Sequence, residues 1–183
     1  FGYSTHFWEP ATVDGEKVLF TNHKFTYRFF PPALARSQVP YRISAEKPAD
    51  TYRIFVFGES AANGDPDPAY SVGRHLEVLL QQRFPGTRFE VVCTAITAIN
   101  SHAILPIARE CAKLDADLWI IYMGNNEMVG TYGAGTIFSA KAPSLASVRA
   151  ILALKSTRIG QVTEALLRHL KPRAGSPESW GGI

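Results

Sequence analysis

The chain has 183 residues, of which 46% are hydrophobic and 11% aromatic, and its formal net charge is +3. This apolar content is sufficient for a packed core and excludes wholesale disorder, and the length suits one domain with an extension or two small domains. Lys and Arg are scattered rather than clustered, which argues against nucleic acid as a partner. No apolar stretch reaches the roughly 18 to 20 residues that a membrane-spanning helix needs.

Residues 1–47 are rich in aromatic residues and turn formers, which predicts a small β-rich N-terminal arm. Two short strands are predicted within it, at residues 17–21 and 25–29, and the aromatic side chains of the second alternate onto one face. Because so few residues make a poor core alone, we expect the arm to pack on the main domain. A ligand-binding aromatic surface is the alternative interpretation.

The main domain, residues 48–183, is predicted to alternate strands and helices. Short apolar runs predict buried strands at the three ranges 52–57, 88–93 and 117–123. Apolar residues at helical spacing predict helices at the four ranges 69–84, 102–114, 144–154 and 157–170. Helix-length crossovers between apolar strands favour a parallel sheet with helices on both faces. The predicted fold class is therefore α/β, a three-layer αβα domain with a flavodoxin-like parallel sheet.

A serine stands at the carboxyl end of the first predicted strand of this sheet. The tripeptide Gly58-Glu59-Ser60 follows the apolar run directly, and a loop rich in Gly and Pro comes next. In open parallel sheets, ligands and chemistry lie at the carboxyl ends of the strands. We therefore expect Ser60 to be a nucleophile, although a serine in this place also commonly caps a following helix.

The loops after the second and third strands offer groups that acyl transfer at a serine requires. Such chemistry needs hydrogen-bond donors for the developing oxyanion and a base. The second loop, residues 94–101, is small and polar and supplies backbone N–H groups, and Asn126 in the third loop supplies a side-chain amide. Because Asn126 stands in a loop that begins with a glycine, it could also serve only as a turn former.

Taken together, Gly58-Glu59-Ser60 and Gly124-Asn125-Asn126-Glu127 resemble the SGNH (GDSL-type) hydrolase superfamily, over roughly residues 50–170. The resemblance implies a serine esterase or lipase-type activity on a small-molecule or carbohydrate ester, with no cofactor and no metal. It also implies an extracytoplasmic or membrane-tethered location for the parent protein.

The same resemblance implies roles for individual residues. Ser60 takes the place of the nucleophile and Asn126 that of an oxyanion donor. Ala95 stands where the family has a glycine whose N–H completes the oxyanion hole, with Ala98 as the alternative. The residues expected to contact substrate are Glu59, Gly124 and Glu127.

The base is the missing part of this site. The family carries it in an Asp-x-x-His block, and none of the five histidines has Asp three residues before it. His102 is expected to cap a helix or line the pocket, with a substitute base as the alternative, and His169 suits a helix end. Because the chain starts at Phe1 and ends abruptly at Ile183, we expect a C-terminally truncated domain whose base lies outside it, and which is itself inactive.

Two alternatives to the hydrolase remain open. One is a non-catalytic module of the same fold that binds a glycan or an acyl group. The other is an interaction domain of a larger protein, in which the two C-terminal helices lead into a helical-repeat region.

Two further groups of residues are expected to be structural. Cys93 and Cys111 have no metal-ligand spacing and are predicted to be buried free thiols. Asp65 and Asp67 lie between prolines, and we expect solvated carboxylates there rather than a metal site.

Overall fold

The computed structural model describes residues 2–133, 135 and 143–170. It shows an α/β protein with an antiparallel N-terminal sheet and a parallel sheet flanked by helices. The predicted α/β class with an αβα arrangement is therefore confirmed. The end of the predicted main domain, residues 171–183, lies outside the described residues. Among the described helices, none is long and apolar enough to cross a membrane.

The parallel sheet consists of β4 (Thr51–Gly58), β5 (Arg88–Cys93) and β6 (Leu118–Tyr122). The spatial order is β5-β4-β6, so the first strand lies between the second and the third. This order is the same as that of the first three strands of flavodoxin-type sheets. The carboxyl ends are aligned, because Gly58 of β4 pairs with Tyr122 of β6.

Helices follow the strands in chain order. They are α1 (Ser60–Asn63), α2 (Val72–Arg83), α3 (Ser101–Cys111), α4 (Leu145–Lys155) and α5 (Arg158–Leu170). The predicted helices at these places are confirmed with shifts of a few residues, which is the usual uncertainty of helix ends. The short α1 was not predicted, because it occupies the first residues of what the sequence indicates as a loop.

Alternate residues of β4 face two separate hydrophobic clusters, as the two-residue period of a strand requires. Phe55 and Phe57 belong to one cluster, which also contains the buried face of α3. Ile54 and Val56 belong to the other, against which the apolar side of α2 packs. The central strand is thus covered on both faces, which explains its unbroken apolar sequence.

The N-terminal sheet shares the first of these clusters. Its strands are β1 (Trp8–Val13), β2 (Glu16–Thr21) and β3 (Arg42–Ser44), with β2 in the middle. Trp8 is buried and its ring lies 6.4 Å from that of Phe55 in β4. The arm therefore contributes to the core of the parallel sheet.

The predicted strand at residues 25–29 is wrong. Phe25–Arg28 form a 3₁₀ helix instead. The buried side chain of Asn22 organises this turn, because its Oδ1 accepts from the N–H of Lys24 and its Nδ2 donates to the carbonyls of Ser4 and His6. The aromatic alternation reflects burial of Phe25 and Phe29 on one side of a turn rather than of a strand.

The cysteine prediction is confirmed. Cys93, at the end of β5, and Cys111, at the end of α3, are both buried and unpaired. Burial raises the pKa of the Cys111 thiol to about 12, so this group is a neutral part of the core.

The strand predicted at residues 117–123 forms as β6, but the prediction that it is buried is wrong, because β6 lies at the edge of the described sheet and is largely exposed. The side chains of Ile121 and Tyr122 are 62% and 52% exposed. The expectation that the sheet is incomplete stays a prediction.

Candidate active site at the carboxyl ends of the strands

Ser60 lies directly after β4, as the first residue of the one-turn helix α1. Its carbonyl accepts hydrogen bonds from Gly64 and Asp65, at 3.0 and 3.1 Å. Its partly exposed hydroxyl makes no hydrogen bond with another described residue. The hydroxyl is therefore available to a ligand or to a base.

Glycine is required on both sides of Ser60. A Cβ at Gly58 would lie 2.5 Å from the carbonyl oxygen of Tyr122 and 2.3 Å from the Cβ of Ala62, so a side chain there would separate β4 from β6 and α1. Gly64 ends α1 with φ +85 in the left-handed region that glycine adopts freely. These two residues allow the sharp turn that places Ser60 at the strand end.

Glu59 ties the first loop to the third. Its side chain is buried, and its carboxylate accepts from the N–H of Gly124 at 3.3 Å and from that of Asn126 at 3.2 Å. Gly124 holds φ +140, a conformation that favours glycine, and this turn aims the two N–H groups at the carboxylate. The predicted substrate contacts Glu59 and Gly124 thus bond to each other within the protein.

Asn126 reaches across to the second loop. Its side-chain Nδ2 donates to the carbonyl of Ile99 at 3.0 Å, while its carbonyl accepts from the N–H of Gly130 at 2.7 Å. The amide has a second N–H, for which the described residues supply no acceptor. Asn126 is thus more than a turn former, because its side chain joins two of the three loops.

Glu127 joins the same two loops at the amino end of α3. Its carboxylate accepts from both the N–H and the hydroxyl of Ser101, each at 2.7 Å. A negative charge is favourable at a helix N-terminus. Asn100 is the N-cap of this helix, and its Oδ1 accepts from the N–H of His102.

The second loop distinguishes the two candidates for the glycine-like position. Ala98 holds φ +69, in the region that favours glycine, and its N–H makes no hydrogen bond with a described residue. Ala95 is fully buried, and its N–H bonds to Cys93, where it opposes the rise that burial causes in the pKa of that thiol. Both alanines are buried, and the backbone conformation favours Ala98 over Ala95 in the glycine-like position.

None of the four histidines outside α5 bonds to Ser60. His6 lies beside Glu110, His75 beside the carbonyl of Ser71, and His102 packs edge-on against Tyr132. His23 is exposed, as is His169 at the end of α5. Within the described residues, no group of three His, Cys, Asp or Glu side chains could hold a metal ion, and Asp65 and Asp67 are exposed.

Two polar residues of this region were missed by the sequence reasoning. Asn100 is 2% exposed, and its Nδ2 donates to the carbonyl of Thr131 at 2.9 Å. Asn63, three residues after Ser60, is 8% exposed, and its Oδ1 has no partner among the described residues. Asparagine directly before a helix is a capping signal, but the predicted helix begins at residue 102, one residue later than α3, so the signal did not fall on Asn100. Asn63 carries no comparable local signal.

The chain was compared with protein-family models, with curated proteins and with solved structures, and none of the three comparisons found a match. The resemblance to SGNH hydrolases therefore rests on the motif residues alone.

Proposed function

We propose that this protein provides the nucleophile and the oxyanion donors of a serine hydrolase that cleaves a carboxylic ester. The observation that carries the proposal is the unpartnered hydroxyl of Ser60 at the carboxyl end of the central strand, beside loops joined through Asn126. A free nucleophile next to fixed hydrogen-bond donors is the arrangement that acyl transfer requires.

In the proposed reaction, the Ser60 oxygen attacks the ester carbonyl and its proton passes to a base. The carbonyl oxygen becomes an oxyanion, held by the second N–H of Asn126 and by the backbone N–H groups of Ser60 and Ala98. The C–O bond to the alcohol then breaks, and the alcohol leaves with the proton from the base. Water attacks the resulting acyl-serine in the same way and releases the carboxylic acid.

The base belongs to the proposal and comes from outside these residues. Its absence from the described site motivates this step, since no histidine bonds to Ser60 there. A histidine is the group best suited to accept the proton near neutral pH. Without it, the chain is expected to lose several orders of magnitude in rate.

The test is covalent labelling of the full-length natural protein with a fluorophosphonate probe, combined with turnover of short p-nitrophenyl esters. We expect the label on Ser60, located by peptide mass spectrometry, and its loss in Ser60→Ala. Ser37→Ala is a matched control, because Ser37 is exposed on the arm. A folded full-length protein that neither takes the label nor cleaves any of the esters contradicts the proposal.

The second candidate is a non-catalytic glycan- or acyl-binding module, favoured by the same lack of a histidine beside Ser60. In that case, esters and acyl sugars would bind without turnover. Binding measured by calorimetry, in a full-length protein that does not label at Ser60, would support this candidate.

A further inference from the structure

The buried carboxylate of Glu59 contacts the loop of Asn126. The side chain is 1% exposed, and it accepts from the backbone N–H groups of Gly124 and Asn126. A buried carboxylate without hydrogen bonds is costly, so these contacts stabilise both the charge and the loop that supplies the donors. In this position, the carboxylate faces protein backbone rather than the exposed surface where a substrate would bind.

We propose that Glu59 is a positioning residue that sets the orientation of the oxyanion donor Asn126; this inference rests on the proposed function. Asn126 is held at two points. Its backbone N–H is fixed by Glu59, and its side-chain Nδ2 is fixed by the carbonyl of Ile99 at 3.0 Å. Because the backbone and the side chain of Asn126 are both fixed, the second N–H of its amide can point in only one direction.

The hydrogen bonds from Gly124 and Asn126 to the Glu59 carboxylate form a tether between two loops. This tether is important because Glu59 and Ser60 are adjacent. The residue that fixes the oxyanion donor is the immediate neighbour of the nucleophile in the chain, and both follow the same strand. The nucleophile and the oxyanion donor are therefore both positioned by one rigid element, the end of β4. Donors that are already oriented stabilise a developing charge without reorganisation during the reaction.

The side-chain chemistry of the position follows from this role. Oε1 of Glu59 accepts from the N–H groups of both Gly124 and Asn126, and Oε2 accepts from that of Asn126. A glutamine keeps one of these oxygens but loses the negative charge, and its NH₂ replaces the other oxygen and faces the N–H of Asn126. Aspartate keeps both oxygens but is one methylene shorter. Glu59→Gln is therefore expected to disturb the tether more than Glu59→Asp.

The experiment compares Glu59→Gln and Glu59→Asp in the full-length natural protein, with two readings. The first is kcat and KM for a short p-nitrophenyl ester. We expect kcat to fall about 100-fold in Glu59→Gln with KM within about threefold, because misplacing a group by about 1 Å costs a factor of this order. Glu59→Asp is expected to recover part of the loss.

The second reading is amide hydrogen exchange at Gly124 and Asn126, followed by NMR, and it does not depend on activity. We expect exchange at these two amides to become at least about tenfold faster in Glu59→Gln, since the charged acceptor is replaced by a neutral amide that keeps only one of the two oxygens. Amides of β5 should be unchanged. Glu46→Gln is the matched control, because Glu46 is exposed and hydrogen bonds to no other described residue.

The outcomes separate the two proposals. A rise in KM with unchanged kcat would assign Glu59 to substrate binding and overturn the positioning role, as would unchanged exchange at both amides. If Glu59→Gln does not fold, Glu59→Asp decides by the same two readings. If wild-type protein shows no labelling at Ser60 while exchange responds to Glu59→Gln, the hydrolase proposal fails and the tether remains as structure only.

Discussion

The two ends of the parallel sheet differ in whether their polar groups have hydrogen-bond partners. At the amino end of β4, the guanidinium of Arg53 is wholly buried and forms an ion pair with Glu90. It also donates to the carbonyls of Leu114 and Ser44, at 2.9 and 3.0 Å. The backbone N–H of Arg53 donates to Asp117 at 2.7 Å. Each of these polar groups therefore has a partner.

At the carboxyl end of the same strand, several polar groups lack partners among the described residues. The hydroxyl of Ser60 and the second N–H of the Asn126 amide are unpaired, and the buried Oδ1 of Asn63 has no donor. Of these three groups only Oδ1 of Asn63 is buried, and a buried polar atom without a partner is uncommon in native proteins. The hydroxyl of Ser60 and the amide of Asn126 are partly exposed and therefore open to solvent or to a ligand.

The difference indicates that the two ends of β4 have different roles. The amino end joins the arm, the sheet and the segment that follows α3, and the charged groups there are paired. The carboxyl end holds its loops together through Glu59, Asn126 and Glu127, and leaves neighbouring groups free. Changes at the amino end should therefore reduce stability, whereas changes at the carboxyl end should reduce activity first.

Arg53→Ala should have the largest effect on stability. Its removal leaves the Glu90 carboxylate and two carbonyls without their donor, and breaking a buried ion pair in this way costs about 3–5 kcal/mol. Urea unfolding followed by circular dichroism measures the loss. Arg74→Ala, which breaks an exposed pair with Glu77 in α2, is the control and should change stability by less than about 0.5 kcal/mol. Equal losses of stability in Arg53→Ala and Arg74→Ala would contradict a special structural role for the amino end of β4.

Asn126→Ala should lower kcat for an ester about 100- to 1,000-fold, which is typical of losing one oxyanion donor. Its cost in stability should be only about 1 kcal/mol, because one hydrogen bond to Ile99 is lost. Steady-state kinetics of the full-length protein and urea unfolding provide the two numbers. Asn125→Ala is the control, since Asn125 is the exposed neighbour. A loss of stability without a loss of rate would make Asn126 purely structural.

The sequence predicts the carboxyl end better than the amino end. Ser60 and Asn126 could be placed together because strand ends of a parallel sheet share one edge, whatever the details of the loops. Their contacts could not be predicted. The bonds of Glu59 to Gly124 and Asn126 depend on the path of a loop 65 and 67 positions away.

The role of Arg53 could not be derived from its surroundings in the sequence. An arginine between Tyr52 and Ile54 looks like a polar interruption at the start of an apolar strand. Its acceptors are 9, 37 and 61 positions away, in three separate segments. Strand β1 was also not predicted. Pro10 argues against a strand unless the strand lies at the edge of a sheet, and β1 does lie at an edge.

Asp117 should make stability depend on pH at the amino end. Hydrogen bonding from Lys47 and from the N–H of Arg53 lowers the pKa of Asp117 below its ordinary value of 3.8. Because the folded carboxylate resists protonation, its contribution is complete above the ordinary value and is lost as pH falls through the lowered one. Asp117→Asn should cost about 1 kcal/mol at pH 7, because Asp117 is exposed and solvent screens its interactions with Lys47 and Arg53.

The measurement is urea unfolding at several pH values between neutral and acid. Wild-type protein should lose stability more steeply below the ordinary aspartate value than Asp117→Asn does. Asp14→Asn is the control, because Asp14 is an exposed turn residue without a hydrogen bond to other described residues. Parallel curves for wild type and Asp117→Asn would show that this carboxylate does not contribute.

The smallest expected effect distinguishes Ala98 from Ala95 at the carboxyl end. An alanine in the left-handed region is strained by about 1–2 kcal/mol, and glycine relieves this strain. At Ala98, with φ +69, the relief should offset the loss of a methyl group and the added chain entropy, so Ala98→Gly should be nearly neutral. Ala95→Gly has no strain to relieve and should destabilise by about 1–2 kcal/mol. Urea unfolding of the two variants measures this difference, and equal losses would contradict the choice of Ala98 as the glycine-like donor.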